Sequence, residues 1–299
     1  MCYTTNMKNL KLIYSDKSGN RSFKNEIDSV LEVFANADYN INILRANTLE
    51  DITNNLAKTK QDEYDIIAIA GGDGSLNAVV NAVLKNELNT KIGIIPAGTA
   101  NDFARFLKID KTFAGSAKTI VNGKTTMVDV GNINDTYFIN VFGAGTITNI
   151  SNHINTNLKN TIGNMAYYLK AIEKFQSYTP IPVTITNSNG TFEENIYLFL
   201  ALNTGFAGGI DNITIDSEID DGYFDILAIK EGSVSDIVSI VISFLRKEHL
   251  NNEKIIYYKD NYTKLEFKEE VETNIDGEKG PLPPVEMNII PKALEIFIP

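Results

Sequence analysis

The sequence predicts an α/β protein followed by a β protein: an N-terminal three-layer domain around a parallel sheet, then a second unit of antiparallel strands. Three observations carry this reading. From residue 9 to about 126, short β-branched runs alternate with amphipathic stretches at βαβ spacing, which favours parallel strands with right-handed crossovers. Beyond about 126, strand follows strand through tight or irregular connections, the pattern of an antiparallel unit. Two glycine-punctuated turns also follow apolar runs in consecutive βα units, at the carboxyl ends of strands, where open α/β sheets bind ligands.

In chain order, NLKLIYS at 9–15 reads as a strand, and Lys17-Ser18-Gly19-Asn20-Arg21 as a loop. A helix follows with Ile27, Val30, Leu31 and Phe34 on one face. Strand 39–45, helix 48–58, strand 64–70, helix 75–85 and strand 91–95 continue the alternation. The later strands are expected at 126–142, 180–187, 191–203, 222–230, 254–259, 262–268, 271–276 and 285–298, with helices near 161–175 and 233–248. No Pro- or Gly-rich linker separates the parts, so pattern alone sets the domains at 1–127 and 128–290.

The bulk numbers exclude several classes. A chain of 299 residues with 43% apolar and 22% charged residues is long enough for two cores. Its net charge of -11 argues against nucleic acid and against general adhesion to anionic membranes. A single cysteine, Cys2, excludes an internal disulfide and a cysteine metal cluster. The longest apolar stretch, Ile237 to Leu245, is far short of a membrane span and the N-terminus lacks a signal-peptide core, so a soluble cytoplasmic protein is expected.

The first glycine turn is Gly71-Gly72-Asp73-Gly74. Ser75 follows where a helix N-cap would sit, ahead of a helical stripe of Leu76, Val79, Val80 and Val83. Strand, glycine turn and helix start aim backbone N–H groups at one place, a way to hold phosphate without many cations. The second turn runs through Pro96 and Gly98 into Thr99-Ala100-Asn101-Asp102, which reads as the cap of another helix.

GGDGSLN at 71–77 and PAGTANDFAR at 96–105 resemble the diacylglycerol kinase catalytic domain of soluble bacterial lipid kinases and of sphingosine and ceramide kinases. DVG at 129–131, DDGYFD at 220–225 and DGE at 276–278 continue the resemblance in the family's order. It implies a β-sandwich second domain, with the final strand, about 291–299, returning to the first. It also implies ATP and Mg²⁺ as cofactors and a lipid hydroxyl, by default that of diacylglycerol, as acceptor. The lipid would be met at a membrane surface in transient contact, without a transmembrane segment, and family members often form homodimers.

The resemblance also distributes roles. Gly71, Gly72, Asp73, Gly74, Ser75, Asn77 and Thr99 would line the nucleotide, with Ser18 and Gly19 of the first loop. Asp73 would meet Mg²⁺, because a carboxylate beside triphosphate is repulsive unless a cation lies between them. Glu278 would be the general base, with Asp102 and Asp129 in support. Asp221, with main-chain oxygens of Glu218 and Tyr223, would hold a structural metal. Each carboxylate also has a plain reading: a self-bonded turn for Asp73, a cap for Asp102, a hairpin turn around Glu278, an acidic turn around Asp221.

Ser15-Asp16 replace the family's Asn-Pro, Asn20 stands where a lysine often follows, and Ala78 replaces a glutamate. These departures keep open a catalytically weak nucleotide-binding module. A small-molecule kinase such as an NAD kinase shares only the GGDG turn. His153 and His249 read as surface or packing residues. Met165, Tyr168, Leu169, Ile172 and Phe175 near lysines form a stripe suited to core packing or to a bilayer.

Overall fold

The computed structural model describes residues 7–15, 23–146 and 179–299. Ser18, Gly19, the expected helix at 161–175 with its apolar stripe, and His153 lie outside the described residues. In the first part, β1 (Lys8–Ser15), β2 (Tyr39–Ala46), β3 (Ile66–Gly71) and β4 (Lys91–Pro96) form a parallel sheet in the order β2-β1-β3-β4. All six residues of β3 are buried, because helices cover both faces of the sheet. Ile67 and Ile69 pack with residues of α2 (Leu49–Leu56) and α3 (Asp73–Lys85). Ile66 and Ala68 pack with residues of α1 (Ile27–Ala35) and α5 (Phe113–Asn122) on the other face.

Local chemistry explains several helix ends. The Thr48 hydroxyl accepts the Asp51 N–H at 3.1 Å and the Asp51 carboxylate accepts the Thr48 N–H at 3.0 Å, a capping box that starts α2. Helix α5 was not anticipated, although its signals are present: Thr112 caps it and Gly123, at φ +77, ends it. Ser75 is not a cap. Helix α3 begins at Asp73 with Gly72 as its extended N-cap, which puts Ser75 in the first turn, 6% exposed and against Gly71. The expected long strand at 126–142 divides into β5 (Thr125–Ile133), β6 (Thr136–Phe138) and β7 (Val141–Ala144). Asn134 and Asp135 both take positive φ there and fold β5 back onto β6.

The second part is antiparallel and β-sandwich-like, built from β8 (Ile181–Asn187), β9 (Gly190–Leu202), β10 (Phe224–Lys230), β11 (Ile255–Asp260), β12 (Tyr262–Phe267), β13 (Thr273–Ile275), β14 (Glu278–Lys279) and β15 (Val285–Phe297). Phe138, Phe142, Phe199 and Phe224 are fully buried at its centre, each contributing about 2–3 kcal/mol of burial. Helix α6 (Val234–Arg246) covers Leu227 and Ile255 with Ile237 and Ile240. Strand β15 joins the two parts: Val285 pairs with Leu265 of β12, and Ile296 pairs in parallel with Ile92 of β4. No described helix is long and apolar enough to cross a membrane.

Candidate functional site

The two glycine turns lie side by side because β3 and β4 are neighbours: Gly71 is level with Pro96, and the Ala97 N–H bonds to the Gly71 carbonyl at 2.9 Å. Backbone meets backbone beyond that point. A Cβ on Gly98 would lie 2.4 Å from the Gly72 Cα, so no larger residue fits. Asn101, at φ 50, closes the second turn: its Oδ1 accepts the Gly98 N–H at 2.9 Å and its Nδ2 donates to the Gly98 carbonyl at 2.8 Å. Thr99 stands exposed at the tip. The short helix α4 (Asp102–Phe106) starts without a side-chain cap, so Asp102 is not capping it.

Asp73 and Asp102 face the same small region from the two turns. Burial raises the pKa of Asp73, with the charge of Asp276 adding to it and backbone N–H groups opposing. Burial raises Asp102 as well, and the Asp73 charge pushes it further. The Asp102 carboxylate is 4% exposed; Oδ2 accepts the Gly209 N–H at 2.9 Å and Oδ1 accepts from Arg105 at 3.4 Å. Arg105 is shared with Asp211. Two neighbouring carboxylates whose pKa values burial raises are a site for a cation.

Asp276 and Gly277 form the two-residue hairpin turn between β13 and β14, and Glu278 opens β14. Asp276 and Gly277 have φ 49 and 93, the conformation that makes Asp-Gly a favoured hairpin turn. Their environments are opposite. Glu278 is exposed, and its carboxylate rests on the start of α3, where a Cβ on Gly74 would lie 2.7 Å from its Oε1. Asp276 is 5% exposed and accepts four N–H groups: Oδ1 from Asn140 and Val141 at 3.0 and 2.7 Å, Oδ2 from Ile139 and the Asn77 side chain at 2.9 and 2.8 Å. Burial raises its pKa, while the N–H donors that fill all four acceptor positions favour the ionised form and oppose that rise.

Sequence reasoning missed Asp276, because burial of one residue of a hairpin turn is a tertiary property. Asn77 belongs to the same network. Its amide donates to Asp276 and to the Tyr137 carbonyl at 3.0 Å, so it ties α3 to β6 and the DGE turn. Asp129 is 0% exposed, with Oδ2 accepting the Gly222 N–H at 2.7 Å and Oδ1 the Lys292 N–H at 2.6 Å, so it anchors both of those segments.

In the expected structural metal loop, Asp221 is paired with Lys259. Asp221 Oδ2 accepts from the Lys259 ammonium at 2.8 Å and Oδ1 from the Tyr223 N–H at 2.9 Å. Each oxygen keeps a second acceptor position, so the carboxylate and main-chain oxygens that the resemblance implies stay open to a metal; among the described residues no group of three or more His, Cys, Asp or Glu could hold one by side chains alone. His249 is a packing residue, 1% exposed and stacked on Phe244 at 3.8 Å.

A parallel-sheet domain with paired glycine turns, facing a β-sandwich that delivers a carboxylate to them, defines a two-domain kinase. Residues 9–133 match the diacylglycerol kinase catalytic domain, and residues 140–298 match the YegS C-terminal NAD kinase beta sandwich-like domain. A diacylglycerol kinase of Bacillus subtilis (strain 168) is 34% identical over 98% of this chain and 97% of its own. One from Staphylococcus carnosus (strain TM300) is 31% identical over 98% and 95%. A crystal structure from Bacillus anthracis str. Sterne, provisionally described as a diacylglycerol kinase, superposes with a TM-score of 0.84 at 27% identity, covering 99% of this chain and 98% of that one. The chain belongs to the diacylglycerol kinase catalytic domain family and is an enzyme of the lipid-kinase class.

Proposed function

We propose that the protein transfers the γ-phosphoryl group of Mg·ATP to the free hydroxyl of diacylglycerol, giving phosphatidic acid and ADP. The observation that carries this reading is the convergence of three elements: two glycine turns in backbone contact, the Asp73–Asp102 pair, and Glu278 lying on Gly74. The residues fit a magnesium nucleotide. A phosphate-bound Mg²⁺ needs only one or two protein carboxylates, and the mutual repulsion of Asp73 and Asp102 is relieved by a dication. Bound there, Mg²⁺ would neutralise charge on the transferring phosphoryl group.

The chain's own groups do the rest. The first turn of α3, whose earliest ladder bond runs from Leu76 N–H to the Gly72 carbonyl at 3.0 Å, leaves its leading N–H groups to phosphate oxygens. Gly72 and Gly98 supply a floor without side chains. Glu278 takes the proton of the acceptor hydroxyl as its oxygen bonds to the γ-phosphorus and the bond to the ADP oxygen breaks. The lipid is met at a bilayer surface by local contact, since a net charge of -11 gives no general attraction to anionic lipid.

The deciding experiment is ADP release from Mg·ATP with diacylglycerol, phosphatidylglycerol, ceramide and sphingosine supplied separately in mixed micelles, beside a lipid-free control and NAD. Turnover with diacylglycerol supports the reading. Turnover with NAD alone would instead favour the small-molecule reading suggested by the NAD kinase-like description of residues 140–298.

A further inference from the structure

Ile139 and Asn140 link β6 to β7, and this short buried link reaches toward both halves of the site. Asn140 is 3% exposed and engages its backbone N–H, its carbonyl and both ends of its side-chain amide. The N–H donates to Asp276 Oδ1 at 3.0 Å, and the carbonyl accepts the Asn203 N–H at 2.8 Å. Nδ2 donates to the Phe206 carbonyl at 3.0 Å, and Oδ1 accepts from the Thr204 hydroxyl. We propose that Asn140 couples the turn carrying Glu278 to the helix carrying Asp102, and is thereby a positioning residue of the transfer reaction.

The path leaves Asn140 in two directions. On one side, Asn140 and its two neighbours hold Asp276, which Gly277 alone separates from Glu278. On the other side, Asn140 fixes the start of the connection between β9 and β10, whose Phe206 packs edge-on against Phe106 of α4 at 5.7 Å. The Arg105 guanidinium lies over the same ring at 5.6 Å. Three residues further on, the Gly209 N–H donates to Asp102 Oδ2 at 2.9 Å, and Asp211 pairs with Arg105.

The position requires an amide. One end must donate to a carbonyl while the other accepts from a hydroxyl, which the Asn side chain does within one plane. An aspartate of the same shape would set a carboxylate oxygen against the Phe206 carbonyl, and a leucine would leave both partners buried and unpaired. Transfer as proposed above, on which this inference rests, needs Glu278 and Asp102 in place around one phosphoryl group at the same moment. A misplacement of about 1 Å costs about 10²-fold in rate. Asp102 belongs to the first part of the fold and Glu278 to the second, so their register depends on links that reach both.

The test uses Asn140→Ala and, in case its cavity unfolds the chain, Thr204→Val, which keeps the side-chain shape and removes the hydroxyl donor to Asn140. With diacylglycerol as acceptor, Asn140→Ala should lose about 10²-fold in kcat, and Thr204→Val less, each with the KM for Mg·ATP unchanged. Either loss should nearly vanish in a Glu278→Gln background, where placement of the base no longer matters. An equal loss in both backgrounds would make Asn140 a merely structural residue and overturn the proposal, as would wild-type turnover of the variants. A second readout needs no lipid: amide hydrogen exchange of the full chain without nucleotide. Both variants should exchange faster at 206–211 and at 276–278, with β3 protected as in the wild type. Faster exchange at only one of these segments, at neither, or across the whole chain alike overturns the coupling. If the wild type phosphorylates no lipid, the kinase reading fails by itself, and the exchange measurement still decides the coupling.

Discussion

The chain gathers carboxylates in two places and treats them differently. Around the glycine turns, Asp73 is half-buried and Asp102 buried, burial raises the pKa of both and the Asp73 charge pushes Asp102 further, and Glu278 lies exposed beside them. Around the 216–225 loop, Asp129, Asp221 and Asp225 have both oxygens engaged by N–H, O–H or ammonium donors. Satisfied carboxylates hold structure together, whereas a repelling pair stores an affinity for something absent from the chain. The difference separates scaffold from site more sharply than acidity does, since both regions are acidic.

The comparison can be broken first at the DGE turn. If Glu278 acts on the substrate proton, Glu278→Gln should lower kcat by about 10²–10⁴-fold with nucleotide affinity unchanged; near-normal turnover would remove it from the chemistry. Its neighbour should behave in the reverse way. Asp276→Asn replaces an oxygen that accepts two N–H groups with a donor, and should destabilise the fold by about 3–5 kcal/mol in denaturant unfolding. A variant as stable as the wild type would show that Asp276 does not couple α3 to the sandwich.

Asp73 sharpens the contrast through a sign. Its folded pKa is raised above 3.8 by burial, so the folded state binds more protons than the unfolded state between the two values. Stability is lost as pH rises through that window and stays lost at neutral pH. Asp73→Asn, which keeps the oxygen that accepts the Phe103 N–H, should therefore raise Tm at pH 7 in the absence of Mg·ATP while turnover falls. A lower Tm would mean that the charge stabilises the free enzyme.

The smallest effect is expected at His249. Its pKa is lowered by burial, against the hydrogen bond to the Ile213 carbonyl. The unfolded chain therefore takes up a proton below about 6.5 that the folded chain refuses, and stability declines as pH drops from there toward the folded pKa. His249→Gln should remove about 2 °C of the acid-induced fall in Tm between pH 7.5 and 5.5. An unchanged pH profile would show that His249 does not titrate differently on folding.

Much of this was legible in one dimension. Period-2 and period-3.6 patterns located β1 to β4 and α1 to α3 within a few residues, because each element buries an apolar face that must repeat at its own period. Glycines marked both turns, since positive φ or backbone contact excludes other residues. Ser75 was misplaced because a glycine can serve as N-cap in extended backbone, which removes the side-chain signal.

What the sequence by itself determined is therefore the fold class, the two turns and the acidic residues available to them, all properties of local conformation and residue type. Only the tertiary structure decided which carboxylate does what. Asp276 and Glu278 sit two residues apart on one hairpin, Asp129 lies within β5, and Asp73 follows β3 by two residues. Their roles diverge because a carboxylate's role follows from the donors and charges that distant segments bring to it. Those donors come from Asn77, from residues 139–141, from Gly222, from Lys292 and from Lys259, positions that no local pattern connects.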